Sequence, residues 1–586
     1  MQNKPLLYRL QPYDPAGHRF RVTLAIEAPD PDGQVVSLPA WIPGSYLIRD
    51  FSRQIETLSA RAGRRAVPLQ KIGDHSWRAA PCAGPLVLEY TVYAWDLSVR
   101  GAHLDESHGF FNGTSVFLRV HGQDMLPCLL DLAEPPGIAG WKVYTSLPEA
   151  RGWPGAARRH GFGLYLAPDY DALIDHPVEM GTPQVIGFTA HGAEHELVFT
   201  GQAPNLDLPR IAQDVRRICE AQIAFFEPRT RRAPFLDSAR RYVFMTHVTA
   251  DGYGGLEHRA STALMAARKD LPARGQAGLG EGYRRFLGLV SHEYFHTWHV
   301  KRIKPAAFVP YRLQAPSHTR LLWVFEGFTS YYDDLLLLRS GVIGRSAYLD
   351  LLGKTISGVM RAPGRRKQSV AQSSHDAWTR YYKQDENSPN ALVSYYTKGA
   401  LVALGLDLTI RQATGRRRSL DDVMRLMWRR YGRDFYAGAA QRGVGEDEMA
   451  ALVREATGVD VAPFLRRHVE GTEDVPLQAL LAAEGISTTW KAASSLPSLD
   501  VRTRRQGESV ALATVYEHGA AHRAGLSAGD VLVAIDGLKV EGGNLDTLLQ
   551  RYRPGDTVAI HVFRRDELRL FRLRLAEPAP LECRLD

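Results

Sequence analysis

Residues 291–299, Ser-His-Glu-Tyr-Phe-His-Thr-Trp-His, hold three histidines and one glutamate. How this stretch folds decides how the rest of the chain is read. At about 100° per residue, Leu287, Val290, Tyr294 and Trp298 gather on one face of a helix. His292 and His296 then project from roughly the opposite side, one turn apart. Side chains at i and i+4 can converge on one ion, with imidazole nitrogens about 2.0–2.1 Å from zinc. Glu293, offset by one residue, flanks that ion without having to bind it. This is the place for a general base acting on metal-bound water. The competing reading is a surface helix with solvated histidines. His299 starts about 10 Å along the axis from His292, too far to share an ion easily. It is expected to add helix-end charge with Lys301, Arg302 and Lys304, before Pro305 ends the run.

A third ligand is wanted from outside this helix. Glu326 lies in LLWVFEGFTSYYDDLLLLRSG (residues 321–341), a second helical run closed by Gly341. A carboxylate among Trp323, Val324, Phe325 and Phe328 is costly to bury unless a positive charge meets it. A metal ion and an ordinary salt bridge both satisfy that need. Ser330 and Asp333, one and two turns further on, are candidates to support the ligands.

A chain of 586 residues is too long for one core and predicts three or four domains. With 45% apolar and 23% charged residues the composition is that of a soluble globular protein. No run of about 18 apolar residues suggests a membrane span, and the first residues lack a secretory core. The four cysteines, Cys82, Cys128, Cys219 and Cys583, include no Cys-x-x-Cys pair, against a disulfide framework or thiolate zinc site. A cytoplasmic location is therefore expected. The net charge of +8 balances 72 basic against 64 acidic residues. Arg416–Arg418 and Arg365–Lys367 lack interleaved aromatics, so they read as solvated loops and no nucleic-acid partner is expected.

The predicted fold class is multidomain α+β. Residues 1–180 alternate with period two, as in Phe20, Val22, Leu24, Ile26 and Leu86, Leu88, Tyr90, Val92, and predict an antiparallel β domain. Residues 181–340 are mixed, with a strand-like RRYVFMTHV before the helical segments, and 341–478 are mostly helical. There Ser419 with Asp422 offers an N-cap and Gly458 a helix stop. Residues 485–580 pass from ESVALATVY through GAAHRAGLSAGDVLVAIDG, with an Asp536-Gly537 turn, to a short helix and paired strands. This succession resembles a PDZ domain and implies a groove that takes an extended peptide as an added strand.

Further motifs widen the resemblance. HEYFH paired with WVFEGFTSYY looks like the gluzincin zinc peptidases. Gly254-Gly255-Leu256-Glu257-His258 is similar to the Gly-x-Met-Glu-Asn motif of the aminopeptidase N family. Tyr396-Thr397-Lys398-Gly399 is similar to that family's Tyr-Glu-Lys-Gly. With WIPGSYLIRDF (41–51), DENSPNALVSYYTKG (385–399) and the PDZ-like end, the whole chain resembles the glycyl aminopeptidase family of PDZ-containing zinc peptidases.

The resemblance implies a thermolysin-like catalytic domain with one zinc ion per chain, held by His292, His296 and Glu326. It makes Glu293 the general base and Tyr396 the oxyanion donor, with neighbouring Tyr395 the alternative. It sets Glu257 against the substrate's free α-ammonium, on the substrate-binding segment of Gly254 and Gly255. The implied substrates are peptides with a free N-terminus, Gly or Ala preferred. A peptide-binding adaptor with a vestigial zinc site and a zinc endopeptidase are the alternative functions, and the oligomeric state stays open.

Overall fold

The computed structural model describes residues 4–438 and 441–586. It divides into two units, one of residues 1–317, 332–342 and 424–445, the other of 318–331, 343–423 and 446–586.

The first unit begins with a seven-stranded sheet. Its centre pairs Arg19–Ile26 antiparallel with Leu86–Tyr93, and the register sets Phe20 against Val92, Val22 against Tyr90, Leu24 against Leu88 and Ile26 against Leu86. These eight residues are the ones whose alternation predicts a buried face, and all are buried. Cross-strand apolar pairs of this kind are what stabilise a sheet. One pairing departs from the antiparallel expectation, since Leu6–Asp14 runs parallel to Cys128–Leu132. A smaller sheet follows in the order Lys142–Tyr144, Val178–Gly181, His108–Phe111, Ala102–Leu104.

A five-stranded sheet comes next, ordered Gln184–Ala190, Ala193–Thr200, Arg241–Thr249, Ser261–Ala267, Tyr253–Glu257. Arg241–Thr249, the RYVFMTHV segment, is parallel to both neighbours and buried along nearly its whole length. That two-sided burial explains its continuous apolar run. Tyr253–Glu257 closes the sheet as an antiparallel edge. The helices Leu208–Phe226 and Glu281–Phe295 belong to the same unit, with Gln222 Nε2 donating to the Ser291 carbonyl at 2.8 Å between them.

The second unit is helical before it turns to strands. Thr397–Ala413 and Arg345–Arg361 are its longest helices. Met449–Thr457 stops at Gly458, whose φ of 77° lies in the left-handed region that suits glycine. The last sheet is ordered Val501–Gln506, Ser509–Val515, Val531–Ile535, Thr557–Arg564, Glu567–Arg574. Its Asp536 (φ 47°) and Gly537 (φ 77°) form the two-residue hairpin turn that Asp-Gly predicts. Asn390 of the DENSPN segment ties this sheet to the helices, donating to the Val515 carbonyl at 2.9 Å and accepting from the Glu517 N–H at 2.9 Å. Beyond it, Glu582–Leu585 pairs with Thr488–Lys491, and the Cys583 N–H donates to Ser357 Oγ at 2.8 Å. Among the described residues no helix is long and apolar enough to cross a membrane.

Candidate active site

The helix Glu281–Phe295 starts after Gly280 and buries Leu287, Val290 and Tyr294 along one side. His296 is its C-cap, so the second histidine stands where the helix ends. The two rings meet through their Nε2 atoms, 3.1 Å apart. Their other nitrogens are both engaged. His296 Nδ1 is 2.7 Å from the His299 carbonyl and His292 Nδ1 is 2.9 Å from Asp333 Oδ2. A carbonyl only accepts, so His296 Nδ1 carries the proton. The unprotonated His296 Nε2 then faces His292 Nε2 across 3.1 Å, a placement that suits a shared cation. Two donors about 2.0–2.1 Å from a tetrahedral zinc lie roughly 3.3 Å apart, close to the spacing seen here. The residues present fit a metal ion.

His299 contributes its carbonyl to this arrangement, as the acceptor that fixes its neighbour's tautomer. Lys301, Arg302 and Lys304, read from the sequence as helix-end charge, are instead sealed in the interior. Lys301 Nζ meets Asp175 Oδ1 at 2.8 Å, and Arg302 Nε donates to Asp237 Oδ2 at 2.7 Å. Lys304 lies under the rings of Tyr311 and Phe435, and burial pushes its amine down to about 7. Asp175 also takes His258 Nδ1 and Arg259 Nε, each at 3.0 Å. Burial opposes its charge, but Lys301, His258 and Arg259 together hold the carboxyl well below the usual carboxylate range. Arg365, expected in a solvated loop, is likewise buried and pairs with Asp474 at 3.1 Å.

The edge strand Tyr253–Glu257 brings its backbone against the histidine helix. A Cβ on Gly255 would stand 2.1 Å from Glu293 Oε1, so only glycine lets the strand pass that carboxylate. Gly254 has a φ of 152°. Glu257 ends the strand, is buried, and its Oε1 has no hydrogen-bond partner among the described residues. Gly44, of WIPGSY, lies against it: a Cβ there would be 2.5 Å from Glu257 Oε2. Arg100 Nη2 donates to the Gly255 carbonyl at 3.4 Å. Donor atoms of Glu257, Glu293 and His296 lie within 4.8 Å of one another.

Glu326 is the C-cap of the short helix Leu322–Phe325, and its carbonyl accepts the Ser330 N–H at 2.8 Å. The run continues as Gly327–Arg339, which carries Asp333. Burial pushes the Asp333 carboxyl up, against the opposing pull of His292. Of the two tyrosines, Tyr395 is fully buried, whereas Tyr396 is part-exposed at the N-cap of Thr397–Ala413, its hydroxyl 3.4 Å from that of Tyr382.

Three family models match the chain: the Peptidase M61 N-terminal domain over residues 7–182, the M61 glycyl aminopeptidase over 285–402 and a PDZ domain over 497–575. The solved structure of an aminopeptidase N family protein from Idiomarina loihiensis is 42% identical, covering 99% of this chain and 98% of that one, with a TM-score of 0.93. The chain belongs to the M61 glycyl aminopeptidase family. An M1 zinc metallopeptidase from Deinococcus radiodurans is also similar, at 15% identity over 81% of this chain and 96% of that one, with a TM-score of 0.48. No curated protein matches. The M61 chain is accordingly a peptidase with an N-terminal β-rich domain and a C-terminal PDZ domain.

Several residues of this M61 site escape a reading of the sequence. Gly44 reaches Glu257 from a turn distant in the sequence, and Arg100 reaches Gly255 from a loop with no motif of its own. Asp175, next to His176 in the sequence, carries no mark as the anion that the distant Lys301 and Arg259 need. Only WIPGSY, with its glycine between proline and serine, carried a signal.

Proposed function

We propose that the M61 chain is an aminopeptidase that hydrolyses the first peptide bond of peptides, with small N-terminal residues such as Gly or Ala preferred. His292, His296 and Glu326 hold one zinc ion in this reading. Bound there, the ion would supply Lewis acidity toward a carbonyl oxygen and toward water. Glu293 takes the proton from the attacking water and passes it to the leaving amine. Tyr396 donates a hydrogen bond to the oxyanion as it forms. Gly254 and Gly255 leave the edge-strand backbone free for the substrate to lie along. Asp333 orients the His292 ring through Nδ1.

The reading rests most on Glu257. Its carboxylate comes within 4.8 Å of Glu293 and His296 and keeps one buried oxygen without a partner among the described residues. In an N-terminal residue the ammonium nitrogen and the first carbonyl carbon are two bonds, about 2.5 Å, apart. An anion beside the proposed general base therefore selects the first peptide bond by register, since a free ammonium bound there leaves only that carbonyl within reach of Glu293. An endopeptidase has no use for such an anion. The four cysteines are all free, which suits the proposed cytoplasmic location.

Glycyl-p-nitroanilide and its N-acetylated equivalent test the proposal. An aminopeptidase cleaves only the uncapped compound. Comparable cleavage of both assigns an endopeptidase, and cleavage of neither assigns an adaptor. Leucyl-p-nitroanilide, turned over as fast as the glycyl compound, would remove the small-residue preference alone.

A further inference from the structure

A second histidine–carboxylate group stands in the first unit, away from the histidine helix. His108 lies on the strand His108–Phe111, Glu179 on Val178–Gly181 and His247 on Arg241–Thr249. Donor atoms of all three lie within 4.8 Å of one another. His108 Nδ1 is 3.1 Å from Glu179 Oε1, and the His108 and His247 ring centroids are 5.7 Å apart. Glu179 is 0% and His247 2% exposed. Neither ring nitrogen of His247 has a hydrogen-bond partner among the described residues, and neither does Glu179 Oε2. His103, on the adjoining strand, also keeps a partnerless Nδ1 while its Nε2 lies 3.2 Å from Asp105 Oδ2.

Buried polar atoms are nearly always paired, so four unpaired ones in a single cluster call for an explanation. We infer that His108, Glu179 and His247 form a second metal site, for a divalent ion of the zinc or cobalt class. Two imidazoles and one carboxylate suit that class, whereas magnesium and calcium prefer oxygen donors alone. Burial, reinforced by His108 and His103, pushes the His247 imidazole down to about 3, which keeps it in the neutral form a ligand needs. Binding displaces the proton that His108 shares with Glu179 and gives the Glu179 carboxylate a direct counter-charge.

The position suggests what the ion does. His108 and Glu179 belong to a sheet of the N-terminal β region, and His247 to the five-stranded sheet, so one ion clasps the two together. His247 pairs with Met265, and Met265 pairs on its other side with Gly254 of the proposed substrate strand. The clasp thus lies two strands from the chemistry and has a structural role.

Metal content of the full chain, loaded with Co2+ and dialysed, tests the inference through mass spectrometry and the visible d–d band. We expect two ions per chain in the wild type and one in the double variant His292→Ala/His296→Ala. Adding His247→Phe or, independently, Glu179→Gln to that double variant should remove the remaining ion and its band. The folded double variant without cobalt would overturn the site, as would full retention after either added substitution. Glu179→Gln keeps the side-chain shape and serves if His247→Phe does not fold.

Discussion

The helix-borne pair His292 and His296 and the strand-borne group of His108, Glu179 and His247 use the same donor types in opposite settings. In the first, the His292 side chain keeps 14% of its surface open and its partner Asp333 keeps 15%. In the second, Glu179 and His247 are 0% and 2% exposed. A substrate can approach one and not the other. The difference teaches that a cluster of ligands becomes catalytic through access and through the unbound base beside it. In the proposed mechanism Glu293 is that base for the helix pair, whereas Asp105, beside the strand group, is already engaged by His103 at 3.2 Å. Groups in the open region should therefore report in rate, and sealed groups in stability.

The largest effect expected on this contrast is on rate. Glu293→Gln should lower kcat by about 10³- to 10⁴-fold while zinc content and Tm stay at wild-type values. A variant within tenfold of wild type would break the comparison at its catalytic end. Next comes the sealed anion. Asp175→Asn leaves Lys301 and Arg259 facing a neutral group and should cost about 3–5 kcal/mol in urea unfolding. The sign with pH follows from the depressed Asp175 carboxyl. Its contribution is complete above the unfolded value of about 3.9 and is lost as pH falls through the lower folded value. The wild type should thus lose stability steeply below about pH 4, and the variant less steeply; parallel acid curves would contradict the network.

Tyr396→Phe should lower kcat by about 10²- to 10³-fold with KM little changed, and Tyr395→Phe should do far less. A pure KM effect at Tyr396 would move it to substrate binding. The smallest expected change is that of Asp333→Asn, about 10- to 100-fold weaker zinc affinity by competition with a chelator. Unchanged affinity would sever Asp333 from the orientation of His292.

Legibility in the sequence follows the same divide. His292, Glu293 and His296 sit on one helix, so residue spacing alone brings them together. The pairing of Phe20–Ile26 with Leu86–Val92 was legible because burial of one sheet face imposes period two on both strands. The Asp536-Gly537 turn was legible because its backbone demands positive φ. Contacts made across the fold were not. Lys301, Arg302 and Lys304 read as helix-end charge because Asp175 and Asp237, which neutralise the first two, stand on distant segments. WIPGSY marks a turn at Gly44 but does not point to Glu257, since only tertiary structure brings that turn to that strand end. His108, Glu179 and His247 come from three strands, each histidine solitary in its own segment, and nothing in periodicity links them.

The most direct test is anomalous scattering at the zinc edge from a crystal of the protein. The account predicts a peak about 2.0–2.1 Å from the Nε2 atoms of both His292 and His296, with a Glu326 oxygen as the third ligand. A zinc-loaded crystal with no peak between those two nitrogens, or with Glu326 turned away from it, would contradict the account.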